Sequence, residues 1–314
     1  VGGIAGNSSN SSTIENVTNT GNVNSNTDTY EHNHTYYTAG NVGGVVGRAE
    51  NTNITNATNR ENEVRGAHNV GGVAGYFSGA AAGVNGNVVN EAGFAREQVR
   101  PGTVGDETFI IGNMGGVVGY MDGDNVYVTG SANRGTVHSE DITDPGNILY
   151  ISQAANTGGI VGKINRNKIT DGEGNILTNE AILAGIKEGS ITAAVTDSYN
   201  TGDVTGYSGV GGVVGMMYNG EVADSYNLGS INTTRKPKGG DRTSVNMGGV
   251  VGDTTEGSGA SAVIYNVYNK GQIGDDDYET YARHVGGIVG RLSGTVDKAY
   301  NTGNIYNGFS VVGG

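Results

Sequence analysis

Tyr199-Asn200-Thr201-Gly202-Asp203-Val204, followed six residues later by Gly211-Gly212-Val213-Val214-Gly215, contains both halves of the unit from which this chain is built. The pentad Gly-Gly-apolar-apolar-Gly starts at Gly2, Gly43, Gly71, Gly115, Gly158, Gly211, Gly248 and Gly286, and its first two residues recur at Gly313. Successive starts lie 41, 28, 44, 43, 53, 37, 38 and 27 residues apart, so the shortest unit is 27 residues and the rest carry insertions. The other half reads apolar, two variable, small or β-branched, variable, Asn, variable, Gly, variable, apolar. Six copies fit without a gap, beginning at Ile14, Val128, Val195, Val222, Ile264 and Val296 and placing Asn19, Asn133, Asn200, Asn227, Asn269 and Asn301 in one slot. Units near Ile54 and Val84 are degenerate.

Short apolar stretches broken by Asn and Gly, which tolerate tight corners, are the pattern of strands joined by bends. One unit cannot fold alone. Its four or five inward side chains contribute about 1.5–3 kcal/mol each, whereas ordering its residues costs at least about 1 kcal/mol apiece. Stacking removes the deficit, because each coil buries and hydrogen-bonds against its neighbours. The sequence therefore predicts an all-β fold, a right-handed parallel β-helix (β-solenoid) of about eight coils with inserted loops. Eight coils at about 4.8 Å give a rod of about 40 Å. Residues 1–314 are read as one repeat domain, and its opening and closing on the same unit suggests a piece of a longer chain.

Loop lengths fit this architecture. Between the closing apolar residue and the next Gly pair lie 19 residues after Val23, 20 after Val137 and 16 after Ile231, but 6 after Val204 and 7 after Ile305. Variation at one corner is what loops on one edge of a solenoid produce. A further insert, Lys163 to Ala194, falls at a different corner and includes Asn179-Glu180-Ala181-Ile182-Leu183-Ala184, a candidate helical turn.

Composition narrows function. With 58 Gly and 37 Asn the chain is no helical bundle. A net charge of −13 opposes nucleic-acid binding, zero Cys removes disulfides and thiolate sites, and no apolar run is long enough to insert into a membrane.

The pentads, with Tyr199-Asn200-Thr201-Gly202-Asp203-Val204 and Tyr300-Asn301-Thr302-Gly303-Asn304-Ile305, resemble the GLUG-motif repeats of large bacterial secreted proteins. The resemblance implies an adhesin-like surface protein or a non-catalytic region of an immunoglobulin A1 metallopeptidase. Family members often carry Cys before that Tyr. Here Ser198, Ser225, Val267 and Ala299 stand there, so no role of such a Cys applies.

Several residues invite chemical readings. The pentads lack the Lys-Ser or Lys-Thr of a phosphate loop, and their glycines are read as close coil packing. His32 and His34, with Glu31 or Asp28, would hold a metal if one alternating strand put both imidazoles on one face; two solvated loop histidines are the plainer reading. Asp122, Asp124 and Asp275-Asp276-Asp277 suggest calcium but lack an EF-hand spacing, and solvated loops are preferred. Tyr199, Tyr226, Tyr268 and Tyr300 share one slot, either as a stacked ladder, which we favour, or as an exposed stripe for a glycan or protein. The Asn column reads as an internal amide ladder. No His-Glu-x-x-His occurs.

No catalytic, cofactor-binding or metal residue is assigned, no cofactor is expected, and the chain is read as no enzyme. The expected function is a non-catalytic scaffold, stalk or adhesive segment of a large bacterial surface or secreted protein, placed outside the cell. Its expected partners are flanking repeats of the same chain and a glycan or protein of a host or neighbouring cell. The inserts Asn24 to Val42, Tyr76 to Met114, His138 to Thr157 and Lys163 to Ala194 are the expected contact surfaces. The alternatives are a substrate-presenting spacer of a secreted metallopeptidase and a polysaccharide-binding or polysaccharide-cleaving β-helix.

Overall fold

The computed structural model describes residues 1–25, 30–32, 35–37, 40–60, 63–66, 68–79, 82–91, 94–96, 112–139, 156–206, 208–233, 245–254, 261–275, 282–306 and 311–313. Of 30–32, 35–37, 82–87, 94–96 and 311–313 only the course of the chain is described.

Each pentad bridges two sheets. Its first glycine ends a short strand of sheet I, the eight-stranded ladder running from Val42–Gly43 through Gly209–Gly211 to Val311–Gly313. Its fourth residue enters sheet II, also eight-stranded, running from Ala5–Ser8 through Val214–Tyr218 to Val289–Arg291. The chain then forms sheet III, from Thr13–Asn19 to Gly294–Asn301. It closes the coil through a smaller ladder that includes Val137–Ser139, Val204–Gly206 and Ile231–Thr233. Pairing between coils is parallel and keeps register, Val214 on Val251 and Asn200 on Asn227. The expected parallel solenoid of eight coils is formed.

The pentad corner is a coil-to-coil clamp. Amides of its third and fourth residues both donate to one carbonyl in the next coil, as Ile160 and Val161 do to Val213 O at 2.9 Å and Val213 and Val214 do to Val250 O at 2.9 and 3.0 Å. The interior holds two apolar columns. Val45, Val73, Val117, Ile160, Val213 and Val250 face sheet III, whereas Val42, Val70, Met114, Val210 and Met247 face the small ladder.

Where the pentad passes between these columns, the Asn slot lies against it. Asn19, Asn59, Asn90, Asn133, Asn200, Asn227, Asn269 and Asn301 form one unbroken ladder, each Nδ2 donating to the next Oδ1 at 2.7–3.1 Å. The second Nδ2 hydrogen returns to the glycine carbonyl two residues on, as Asn200 to Gly202 and Asn227 to Gly229, both at 2.7 Å. The second pentad glycine fits over this amide. A methyl on Gly159 or Gly212 would lie closer than 3.0 Å to Asn200 or Asn227.

The two degenerate units belong to the ladder. Asn59 keeps its slot, with one extra residue before Val64. Asn90 is displaced by a bulge that adds one residue between Asn85 and Val88. The expected insert Tyr76 to Met114 is therefore corrected. Ala82–Asn90 is a sheet III strand, and Phe94–Arg96 pairs with Val137–Ser139. Likewise His138–Ser139 and Asn156–Thr157 are coil strands, and Lys163–Asn165 ends a strand of sheet II.

One of the two slots read as variable is not variable. Asn16, Asn56, Gly130, Asp197, Asp224, Asn266 and Lys298 all take left-handed backbone, with φ between 46° and 57°. At Asp197 and Asp224 the bend breaks the strand, and the following serine bridges the gap. Ser198 Oγ accepts from Ser131 N and Ser225 Oγ from Ser198 N, both at 3.2 Å. These serines occupy two of the four slots where the family pattern carries Cys.

Two predictions follow from this geometry. Asn200→Ala strands a donor on Asn133 and an acceptor on Asn227 and should cost about 2–4 kcal/mol in denaturant unfolding; Asn301→Ala, on the last described rung, should cost under about half as much. Equal losses contradict a shared ladder. Asp197→Ala should cost about 1 kcal/mol, with Asp197→Gly less harmful, reversing the ordinary order of those residues.

Candidate functional site

The insert after Asn165 folds on itself before it meets the wall of the solenoid. Asp171 closes a tight loop by accepting from the amides of Glu173 and Asn175, both at 2.9 Å, and Gly174 takes φ 86°. The Asn175 side chain and these amides hold the Asp171 carboxyl below its ordinary range. Thr170 and Ile176 then bridge antiparallel. Thr178 caps helix α1 (Asn179–Glu188), its side chain accepting from Ala181 N, and Gly189 ends it with φ 75°. The expected helical turn is thus a ten-residue helix. Helix α1 rests on Ala262–Asn269 and Gly294–Asn301, where Lys187 pairs with Asp297 at 2.6 Å and lies over the Tyr265 ring.

Beneath the insert the wall carries a buried ion pair. Glu221 stands in a sheet column continued by Val263 and Thr295, with 3% of its surface exposed. Arg166, 5% exposed, donates to its carboxylate and to the carbonyl of Asp124. Burial pushes the Glu221 carboxyl above its ordinary range, opposed by Arg166 and the backbone amide of Ala194. Beside the pair, Asn219 donates to Arg166 O and accepts from Ser261 N, each at 3.1 Å, while Ser261 Oγ donates to Asn179 Oδ1. A cavity of about 290 Å³ remains between wall and insert. Glu221, Asn219 and Ser261 line it from the wall; Ile169, Ile176, Leu177 and Ile182 line it from the insert; Asn167, Lys168 and Asn179 complete it. Nothing in the repeat pattern marked Arg166 or Glu221. The available signal was a carboxylate at a column position that other coils fill with uncharged residues such as Val263 and Thr295.

The residues singled out in sequence are spread over the rod. The strand Tyr30–His32 pairs antiparallel with Thr35–Tyr37. His34 and Asp28 lie outside the described residues. Asp122 accepts from Tyr76 OH at 3.0 Å and from Asn165 Nδ2 at 2.8 Å, and Asp124 accepts from Asn167 at 2.9 and 3.1 Å. Asp122 ends a sheet II strand and links coils on both sides, unlike the solvated loop acid expected, whereas Asp124 stands exposed in a turn, as expected. Asp275 accepts from Asn232 at 2.7 Å, and Asp276 and Asp277 lie outside the described residues. No group of three metal-binding side chains occurs among the described residues.

The four tyrosines form the ladder. Tyr199, Tyr226, Tyr268 and Tyr300 stack with centroids 5.2, 4.7 and 5.1 Å apart and planes within 8°. Partial burial first, and neighbouring phenols second, raise the pKa of Tyr226 and Tyr268. The three contacts occupy six of the eight ring faces, and Tyr300, at the end of the stack, is exposed.

The GLUG motif matches residues 38–62, from just before the second pentad to just past the Asn59 rung. This chain carries the GLUG motif. Its repeat also aligns with Halomucin of Haloquadratum walsbyi, 30% identical over 248 residues, which is 68% of this chain and 3% of Halomucin. The chain thus spans a small fraction of that relative's length. A Bacteroides ovatus protein described as an immunoglobulin A1 protease is similar at 15% identity, over 96% of this chain and 66% of that one, with a TM-score of 0.39. At that score the likeness bears on neither fold nor function. No described helix is long and apolar enough to cross a membrane.

The raised Glu221 pKa makes a pH prediction. The folded state holds this proton more tightly than the unfolded chain, so its contribution is fully present below the ordinary carboxylate value of 4.5 and is lost as pH rises above it. The stability of the parent relative to Glu221→Gln should therefore decline in denaturant unfolding as pH rises above that value. A constant difference, or a rising one, contradicts the burial.

Proposed function

We propose that this chain is a non-catalytic, extended scaffold segment of a larger protein outside the cell, and that its inserts make the contacts. The supporting observation is how the repeat spends its reactive side chains. Eight asparagine amides bond one another and four tyrosine rings face one another. Asp122, Asp124 and Asp275 are held by donors on neighbouring coils. What varies between units is mainly loop length at fixed corners, on a frame whose parallel register is kept except at the bulge before Asn90. A bacterial surface or secreted setting, adhesion to a glycan or protein, and continuation into further repeats complete the proposal.

Trimming tests it. Replacing residues 26–40 and 140–155 by short turns should leave rod length in X-ray scattering unchanged and weaken adhesion to cells or immobilised glycans. Adhesion that survives trimming of every insert, or turnover of peptide or polysaccharide by the purified chain, overturns the reading.

A further inference from the structure

We infer that the cavity between helix α1 and the solenoid wall is a binding site for one neutral sugar ring. This deepens the scaffold reading by naming a ligand class for one insert.

A lid evolved only to cover the wall would pack against it, since folded interiors keep few voids larger than a water. This lid stands off by a cavity of about 290 Å³, at the lower limit of small-molecule sites, about 300–1,000 Å³. That volume suits a single ring. The two sides of the cavity differ in chemistry. Ile169, Ile176, Leu177 and Ile182 give an aliphatic surface, and Ile176 is 60% exposed at it. Opposite stand groups with hydrogen-bonding capacity left over. The Glu221 carboxylate offers acceptor capacity beyond Arg166 and Ala194 N. Asn167 Nδ2 is engaged with Asp124, leaving its Oδ1 as acceptor, and Asn179 Oδ1 is engaged with Ser261, leaving its amide hydrogens as donors.

A ligand that satisfies both sides has an apolar face and an edge that both donates and accepts. A pyranose, with C–H groups on its face and hydroxyls round its rim, has that form. Among the described residues no aromatic side chain lines the cavity, which disfavours a flat base or indole. Arg166 neutralises Glu221 within the wall, so the floor presents hydrogen-bond geometry and no net charge, and the one further charged residue of the lining, Lys168, is an exposed side chain. A buried ion pair in the sheet wall is costly to keep, and a polar ligand in contact with it gives that cost a use.

Saturation-transfer NMR of the full chain with glucose, galactose, N-acetylglucosamine and glucuronate tests this. At least one neutral sugar should bind saturably at about millimolar concentration. Leu177→Trp, which fills the cavity, should weaken it at least about tenfold, with Asn179→Ala as the milder second variant, and both should keep the parent's circular dichroism. No saturable transfer from any neutral sugar, transfer unchanged by both variants, or preference for glucuronate overturns the assignment. Sugar binding without adhesion of the intact chain would sink the adhesive reading and leave this one standing.

Discussion

The fold depends on one steric and polar match: an asparagine carboxamide lying flat against a glycine Cα. Nδ2 and Oδ1 of each interior rung link it to the rungs on either side, and where Gly stands two residues on, as after Asn133, Asn200, Asn227 and Asn269, its carbonyl takes the remaining Nδ2 hydrogen. The pentad glycine above must lack a Cβ, or the amide could not sit there. Because each rung needs both neighbours, the buried polar column is satisfied only in the stack. An orphaned amide inside this wall would cost about 1–3 kcal/mol, so the ladder penalises any register but the one in which Asn meets Asn. The valines supply burial, and the asparagines supply alignment.

Much of this was legible in the sequence because both partners of the match are rare in combination and recur at fixed spacing. Gly-Gly-x-x-Gly and Asn-x-Gly are two faces of the same contact, and the tyrosine slot beside them follows from strand alternation. The third coil escaped because its bulge shifts Asn90 by one place, which spacing counts as a mismatch although the side chain reaches the same column. The left-handed corner escaped for another reason. Asn, Asp, Gly and Lys look like a free choice until φ is known, and then six of the seven belong to the residue types that tolerate it.

The candidate site was less readable for a physical cause. Arg166 and Glu221 lie 55 residues apart, and the chain between them includes the whole insert that buries them. Repeat logic describes what every coil shares, whereas this cavity exists where one coil differs. The histidine and aspartate clusters drew attention through local density, but local density on a solenoid places side chains on one loop, and chemistry across coils is set by register. That is how Asp122, which suggested calcium beside Asp124, is instead gripped by Tyr76 from one neighbouring coil and Asn165 from the other.

A scaffold of this kind gains rigidity from identical rungs and variety from its inserts, so the stack itself is the claim on which the remainder stands. Hydrogen exchange of asparagine side-chain amides, followed by NMR, reads it directly. The account predicts strong protection for Asn133, Asn200, Asn227 and Asn269 in the interior coils, with exposed Asn22 and Asn304 exchanging as in an unfolded peptide. Interior carboxamides that exchange as fast as the exposed pair would mean that the ladder does not exist in solution, and the continuous spiral would have to be abandoned.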